Sequence, residues 1–117
     1  PKAIGPYSQA VKSGSLVFIS GQIPLDPKTM ELVGEDVVRQ THQVFKNLSA
    51  IAKASGGNLV DIVKMTIYLT NLDNFSKINE IMASYFQEPY PARATIEVSA
   101  LPKAALVEVE AILALEI

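Results

Sequence analysis

The sequence predicts an α+β domain in which two amphipathic helices cover one face of a mixed sheet. The chain has 117 residues, which suits a single domain spanning residues 1–117 with one hydrophobic core. Its apolar patterns follow the order strands, helix, strand, helix and two strands. Two helices are too few to cover both faces of a sheet of about four to six strands. We therefore expect the second face to meet water or another subunit.

The first half of the chain predicts a strand, a turn and a long helix. Residues 16–20 form a continuous apolar run between glycines, which predicts a strand buried on both faces. Asp26 is followed by proline and begins a predicted turn. Apolar residues then recur at helical spacing over residues 36–55, with Asp36 as the expected N-cap and a Gly-Gly pair as the stop.

A second strand and a second helix follow. Residues 62–69 alternate between apolar and polar, and the predicted core side is formed by Val63, Met65, Ile67 and Leu69. Asp73 or Asn74 is expected to cap the next helix, which ends before Pro89. The predicted buried stripe of this helix consists of Phe75, Ile78, Ile81, Met82 and Tyr85.

Two strands close the predicted domain. In residues 93–99 the side chains alternate, and we expect Arg93 to lie on the sheet face opposite the helices. In residues 107–115 the odd-numbered positions are predicted to face the core, with Glu108 and Glu110 facing away. The outward side of this strand also carries Ile112. Together with the doubly apolar first strand, this predicts a homo-oligomer that packs through its second sheet face.

Composition excludes several classes of site. The chain has no Cys and one His, which excludes disulfides, thiolate nucleophiles, Cys-based zinc sites and any multi-His metal site within one chain. That His42 is predicted to be a solvated helix residue. No metal-ligand spacing and no phosphate-binding glycine loop is present, so we expect no metal and no cofactor. A net charge of −2 at pH 7 disfavours nucleic-acid binding.

No segment of the sequence predicts a membrane span or a secretion signal. The absence of Cys fits a reducing compartment, and a cytoplasmic location is expected. Because the sequence begins at Pro1 without Met, a few N-terminal residues are expected to precede it.

Arg93 and Glu108 are the candidate chemical groups. The chain has two arginines, and Arg39 falls on the polar face of the long helix. Arg93 opens an apolar strand, where a guanidinium needs an anion such as a ligand carboxylate, or else a salt bridge to Glu97 or Glu108. Glu108 and Glu110 share the outward face of the last strand. Either one of them lies beside Arg93 and handles a proton or water, or both serve solubility or protect a sheet edge.

Four further polar positions have weaker signals. Tyr7 follows a Gly-Pro pair, while Ser20 and Gly21 stand at a strand end, where turn chemistry alone explains much of the pattern. Asn79 lies near the apolar stripe of the second helix, so its amide needs either a packing hydrogen bond or a ligand.

Several segments spread along the chain carry recognisable motifs. They are residues 4–10 (IGPYSQA), 20–24 (SGQIP), 91–98 (PARATIEV), 101–102 (LP) and 107–111 (VEVEA). In order and spacing they resemble the RidA/YjgF family of reactive-intermediate deaminases, over essentially the whole chain. Two positions depart from the family pattern. Thr95 stands where many members have Cys, and Val109 is a milder change.

The resemblance implies a chorismate-mutase-like α+β fold and a homotrimer with clefts between neighbouring subunits. It also implies hydrolysis of enamines and imines such as 2-aminoacrylate to 2-keto acids and ammonia. Arg93 would hold the substrate carboxylate, and Glu108 or Tyr7 would assist the attacking water. The cleft would also include Ser20, Gly21, Asn79 and Thr95, the last through its backbone amide.

Two other functions stay open at this point. One is a non-catalytic module that binds keto acids, and the other is an endoribonuclease or translation inhibitor. The acidic balance and the lack of a basic cluster disfavour the second. A sensor of carboxylates needs Arg93 but has no use for Glu108.

Overall fold

The chain folds into a five-stranded mixed sheet with two helices on one face, which confirms the predicted fold class. The computed structural model describes residues 1–115, so the last two residues of the predicted domain lie outside the description. The elements are β1 (Ala10–Ser13), β2 (Leu16–Gln22), α1 (Val37–Ala54), β3 (Ile62–Leu69), α2 (Phe75–Tyr85), β4 (Ala92–Glu97) and β5 (Val107–Ala114).

The strand order is β1-β2-β5-β3-β4, so β5 lies at the centre and β4 at an edge. Only β3 and β4 run parallel, and the other neighbours are antiparallel. The parallel pair is joined through α2, because parallel neighbours need a crossover and a helix supplies it. This places the end of α2 close to the start of β4.

The long helix begins and ends as predicted. Asp36 is the N-cap, and its carboxylate accepts a hydrogen bond of 3.1 Å from the backbone N–H of Val38. The helix packs with one face against the sheet and α2. The largest fully buried side chains of this core include Phe45, Leu48, Met65, Ile67, Leu69, Ile78 and Leu113.

Two strand predictions need correction. The short β1 is absent from the predicted elements, because only two of its four residues are apolar. It lies at the edge of the sheet and pairs with β2 alone. In β3 the prediction that Val63 faces the core is wrong, because Val63 is 48% exposed and Ile62 is buried instead. The pairing of β3 with β5 shifts register between Ile62 and Lys64, which reverses the alternation at that end.

The helix α2 also differs from its predicted stripe. Ile78, Ile81 and Met82 are buried, but Phe75 is 38% exposed. Tyr85 is half-buried, and its hydroxyl lies 2.8 Å from Nδ1 of His42 on α1. The prediction of a solvated His42 is therefore wrong, because the ring joins the two helices.

The sheet face opposite the helices is strongly apolar and uncovered in the single chain. Exposed side chains on this open face include Val11, Leu16, Phe18 and Ile96, and Phe18 is 44% exposed. The prediction that residues 16–20 are buried on both faces is wrong for one chain, since only Val17 and Ile19 are buried. An apolar face of this extent is typical of an association surface.

Candidate active site

Arg93 lies on the helix side of the sheet, so its predicted position on the opposite face is wrong. In the parallel register Arg93 pairs with Met65, whose side chain is in the core beneath the helices. Because paired residues of neighbouring strands point to the same side, Arg93 points toward α2. There its Nη1 donates a hydrogen bond of 2.6 Å to Oδ1 of Asn79.

The Arg93 side chain is held from two further directions. Its guanidinium carbon lies 5.3 Å from the centroid of the Phe75 ring, within cation–π range. Nη1 also lies 3.5 Å from the sulfur of Met82. Within residues 1–115 these contacts use Nη1 and the guanidinium face that meets the Phe75 ring. The edge formed by Nε and Nη2 has no hydrogen-bond partner among these residues. That edge is the one that binds a carboxylate through two parallel bonds.

An open depression of about 470 Å³ borders the guanidinium. Its lining residues are Asn79, Met82, Ala83, Tyr90, Pro91 and Arg93. Thr95 lies two residues beyond Arg93 on the same face of β4, and its buried hydroxyl has no hydrogen-bond partner in the described part of the chain. We call this group of Arg93, Asn79 and Thr95 the arginine half-site.

Glu108 lies on the other face of the sheet, in a second depression of about 350 Å³. The residues around it are Ile4, Tyr7, Ser20, Gly21, Ile23 and Pro102. Four predicted site residues therefore come together here, from the N-terminal segment, the end of β2 and the start of β5. We call the group of Tyr7, Ser20, Gly21 and Glu108 the glutamate half-site.

Gly21 makes room for the Glu108 side chain. The register of β2 with β5 is irregular between Ile19 and Gln22, and this irregularity brings the backbone of Gly21 against the carboxyl group. A Cβ at position 21 would lie 2.8 Å from Cδ of Glu108 and closer still to Oε2. The absence of a side chain at Gly21 thus fixes where the carboxyl group sits.

Tyr7 and Ser20 tie the N-terminal segment to this depression. The Ser20 hydroxyl donates a hydrogen bond of 2.6 Å to the backbone carbonyl of Ser8, so it shapes the wall of the depression. The Tyr7 hydroxyl accepts a long contact of 3.4 Å from the backbone N–H of Ile4, and 45% of the side chain is exposed. Tyr7 is therefore free to meet a ligand.

The environment of Glu108 favours its protonated form. Burial, and then the neighbouring negative charge of Glu110, raise the pKa of Glu108 above its ordinary value of 4.5. Glu110 itself accepts a hydrogen bond from the hydroxyl of Tyr68 on β3. A carboxyl group whose pKa is raised is a stronger base than an ordinary glutamate, which suits it to accept and return a proton.

The structure does not bring Arg93 and Glu108 together within one chain. They lie on opposite faces of the sheet, and β3 separates their strands. Within the described residues Arg93 forms no salt bridge to Glu97 or Glu108, because it binds Asn79 and Glu97 accepts from the backbone of Leu72. The placement of Glu108 beside Arg93 in a cleft between subunits stays a prediction. The seven predicted site residues form two separate half-sites.

The sequence analysis missed Phe75 as part of the site. Phe75, Asn79 and Met82 are spaced i, i+4 and i+7, so they share one face of α2. The predicted buried stripe contains Phe75 and Met82 but not Asn79, so an apolar pattern alone does not show that the three residues share this face. Within the described residues, no cluster of His, Asp and Glu could hold a metal ion, and neither helix is long and apolar enough to span a membrane.

Comparison with known proteins identifies the family. The family model described as Endoribonuclease L-PSP matches residues 1–115. A RutC family protein of Pyrococcus horikoshii is 54% identical over 112 residues, covering 96% of this chain and 89% of the relative. A protein of Dermatophagoides farinae named 2-iminobutanoate/2-iminopropanoate deaminase is 44% identical over 116 residues, covering 99% and 91%.

Solved structures agree with these relatives. RidA of the Antarctic bacterium Psychrobacter superimposes with a TM-score of 0.95 at 51% identity, covering 98% of this chain and 93% of the other. TdcF of E. coli, solved with bound serine, gives a TM-score of 0.93 at 41% identity, covering 99% and 93%. The resemblance in the motifs is confirmed. The chain belongs to the endoribonuclease L-PSP family, which is the RidA/YjgF family.

Proposed function

We propose that this protein hydrolyses reactive 2-imino acids and their enamine forms to 2-keto acids and ammonia. The observation that carries the proposal is the state of Arg93. Its guanidinium is contacted by Asn79 and Phe75 and lines an open depression, and its Nε and Nη2 have no hydrogen-bond partner within residues 1–115. A small organic acid is the ligand that such a fork fits. The deaminase name of one relative and the serine bound to another support this class of ligand.

We propose that the complete site forms between two copies of the chain, in a homotrimer. Arg93 stands on the edge strand β4, where it can reach beyond its own sheet. Glu108 lies at the end of the open apolar face that another copy would cover. Docking of one copy's edge beside another copy's open face would join an arginine half-site to a glutamate half-site. The substrate would bind between them.

The proposed reaction needs neither a covalent nucleophile nor a metal. The carbon of a protonated imine beside a carboxylate is already electrophilic. Arg93 would fix the carboxylate and so the position of that carbon. Glu108 would accept a proton from water as the oxygen adds, and would return it to nitrogen as ammonia leaves. A hundredfold acceleration corresponds to about 2.7 kcal/mol of barrier, which positioning and one general base can supply.

The two other functions fit the structure less well. A sensor of keto acids needs the arginine half-site but has no use for a carboxyl group whose pKa is raised. Endoribonuclease activity needs contacts to phosphates, and the chain carries a net charge of −2 with two arginines, one of them engaged by Asn79.

The proposal is tested by generating 2-aminoacrylate from serine with a dehydratase and following pyruvate release. We expect the protein to accelerate release and Arg93→Ala to abolish the acceleration. Arg39→Ala is the matched control, since Arg39 is the other arginine and is exposed on α1. Equal activity of the parent and Arg93→Ala would reject the enzyme, whereas binding of pyruvate without acceleration would indicate the sensor.

A further inference from the structure

The open face of β5 carries two carboxyl groups with unequal surroundings. Glu108 and Glu110 stand two residues apart on the same side of the strand, a separation of roughly 7 Å along the chain. Glu108 is pressed against the backbone of Gly21 in the glutamate half-site. Glu110 lies toward the middle of the sheet, beside a shallow depression that Lys64 and Thr66 also line.

Tyr68 links the two carboxyl groups. In the antiparallel register Tyr68 stands directly opposite Glu108, and Thr66 stands opposite Glu110. The hydroxyl of Tyr68 nevertheless reaches the diagonal position and donates its hydrogen bond to Oε1 of Glu110. A diagonal neighbour on an antiparallel pair is within reach of an aromatic side chain. The Tyr68 side chain thus starts opposite Glu108, but its hydroxyl forms its hydrogen bond with Glu110.

We propose that Tyr68 and Glu110 are positioning residues that make Glu108 the proton carrier of the site. The hydrogen bond from Tyr68 holds the carboxyl group of Glu110 in place, so its negative charge stands at a fixed position next to Glu108. A like charge held beside a carboxyl group disfavours its ionised form, so Glu108 holds its proton longer than an isolated glutamate would. The kinetic part of this inference rests on the proposed function, but the assignment of the proton does not.

The other groups around Glu108 and Glu110 are consistent with Glu108 as the proton carrier. From β2, Ser20 and Gly21 bring no charge to Glu108, and from the N-terminal segment Tyr7 brings a second phenol. Lys64 on β3 lines the same shallow depression as Glu110.

The surroundings also account for the directions of the pKa shifts. In the proposed assembly, Arg93 of a neighbouring copy would face Glu108. Its effect on the pKa of Glu108 would be the same in each of the variants compared below. Glu108 has its pKa raised by burial and by Glu110. The hydrogen bond to Glu110 raises the pKa of Tyr68, so Tyr68 stays a neutral donor.

The test follows the carboxyl carbons of 13C-labelled glutamate by NMR as pH is varied, with Glu108→Gln and Glu110→Gln assigning the two signals. Glu110→Gln should lower the titration midpoint of Glu108 by roughly half to one pH unit, because a neighbouring negative charge is removed. Tyr68→Phe should lower the same midpoint by a smaller amount, because Glu110 is then no longer held in place. Tyr85→Phe is the matched control. It also removes a phenol hydroxyl, but that hydroxyl bonds to His42 between the two helices and not on this face of the sheet.

The outcomes separate this inference from the proposed function. If either Glu110→Gln or Tyr68→Phe leaves the midpoint of Glu108 in place, the inference is overturned even in an active enzyme. In an active enzyme, Glu110→Gln should also move the acid limb of kcat/KM to lower pH by the same amount as the midpoint. Shifted midpoints in a protein without deaminase activity would reject the proposed function and support the proton assignment.

Discussion

Replacing Gly21 with Ala tests how the backbone of β2 positions the carboxyl group of Glu108, the proposed general base. The added Cβ would lie 3.2 Å from Cγ of Glu108, 2.8 Å from Cδ and closer still to Oε2. Ordinary contacts between such atoms begin near 3.4 Å, so the carboxyl group must move by about 1 Å. The moving atoms are the end of a flexible side chain, and Gly21 has no left-handed backbone. We therefore expect the fold to survive.

The loss of activity follows from the displacement. A shift of about 1 Å in a positioned catalytic group costs on the order of a hundredfold in rate. We expect Gly21→Ala to lower kcat/KM for 2-iminopropanoate by about that factor while the thermal unfolding midpoint changes little. The loss should appear mainly in kcat, because the substitution leaves Arg93, the proposed carboxylate-binding residue of the other half-site, unchanged.

Gly5→Ala provides the matched control for this experiment. Its added Cβ would lie 3.6 Å from the ring of Tyr7, which is an ordinary van der Waals contact. We expect this variant to keep activity within a few fold of the parent. The reasoning is refuted if Gly21→Ala, with Glu108 displaced in its crystal structure, is as active as the parent. A matching loss in Gly5→Ala would show that any added methyl near the depression does the same damage.

Two further predictions concern stability and assembly. Because folding raises the pKa of Glu108, the parent loses stability as pH rises from about 4.5 through the pKa of the folded state. Glu108→Gln should therefore gain stability relative to the parent across that pH range. Thermal melts between pH 4 and 8 measure this difference in stability, and a difference that does not change with pH would contradict the prediction. Phe18→Glu places a charge on the open face, so light scattering should show that it dissociates the proposed oligomer. Val60→Glu, at an exposed position outside the sheet, should not.

The sequence predicts most of the fold because local patterns and tertiary packing agree. The N-cap at Asp36 and the helical spacing that follows it leave little choice for α1. The alternation in β5 correctly assigned Glu108 and Glu110 to the outward face. Where the pattern failed, a nonlocal feature was responsible. The register shift at Ile62 depends on the pairing with β5, which no local window contains.

The face of Arg93 could not be predicted from its own strand. Alternation predicts that Arg93 and Thr95 share a side, but which side meets the helices depends on the register with β3. The usual expectation that charged residues avoid the helix-covered face failed here, because β4 is an edge strand and α2 supplies both a ring and an amide for the guanidinium. A local rule broken in this way is typical of a functional site.

The division of the site into two half-sites is the claim on which the proposed function depends, and mixing two inactive variants tests it most directly. Arg93→Ala keeps the glutamate half-site and Glu108→Gln keeps the arginine half-site, so a hybrid oligomer can contain intact sites that neither variant has alone. Random mixing of equal amounts by unfolding and refolding should restore about one quarter of the parent activity, since each site needs one intact contribution from each variant. Activity that stays at the level of the separate variants, in oligomers shown by mass spectrometry to be mixed, would mean that Arg93 and Glu108 do not act across a subunit boundary.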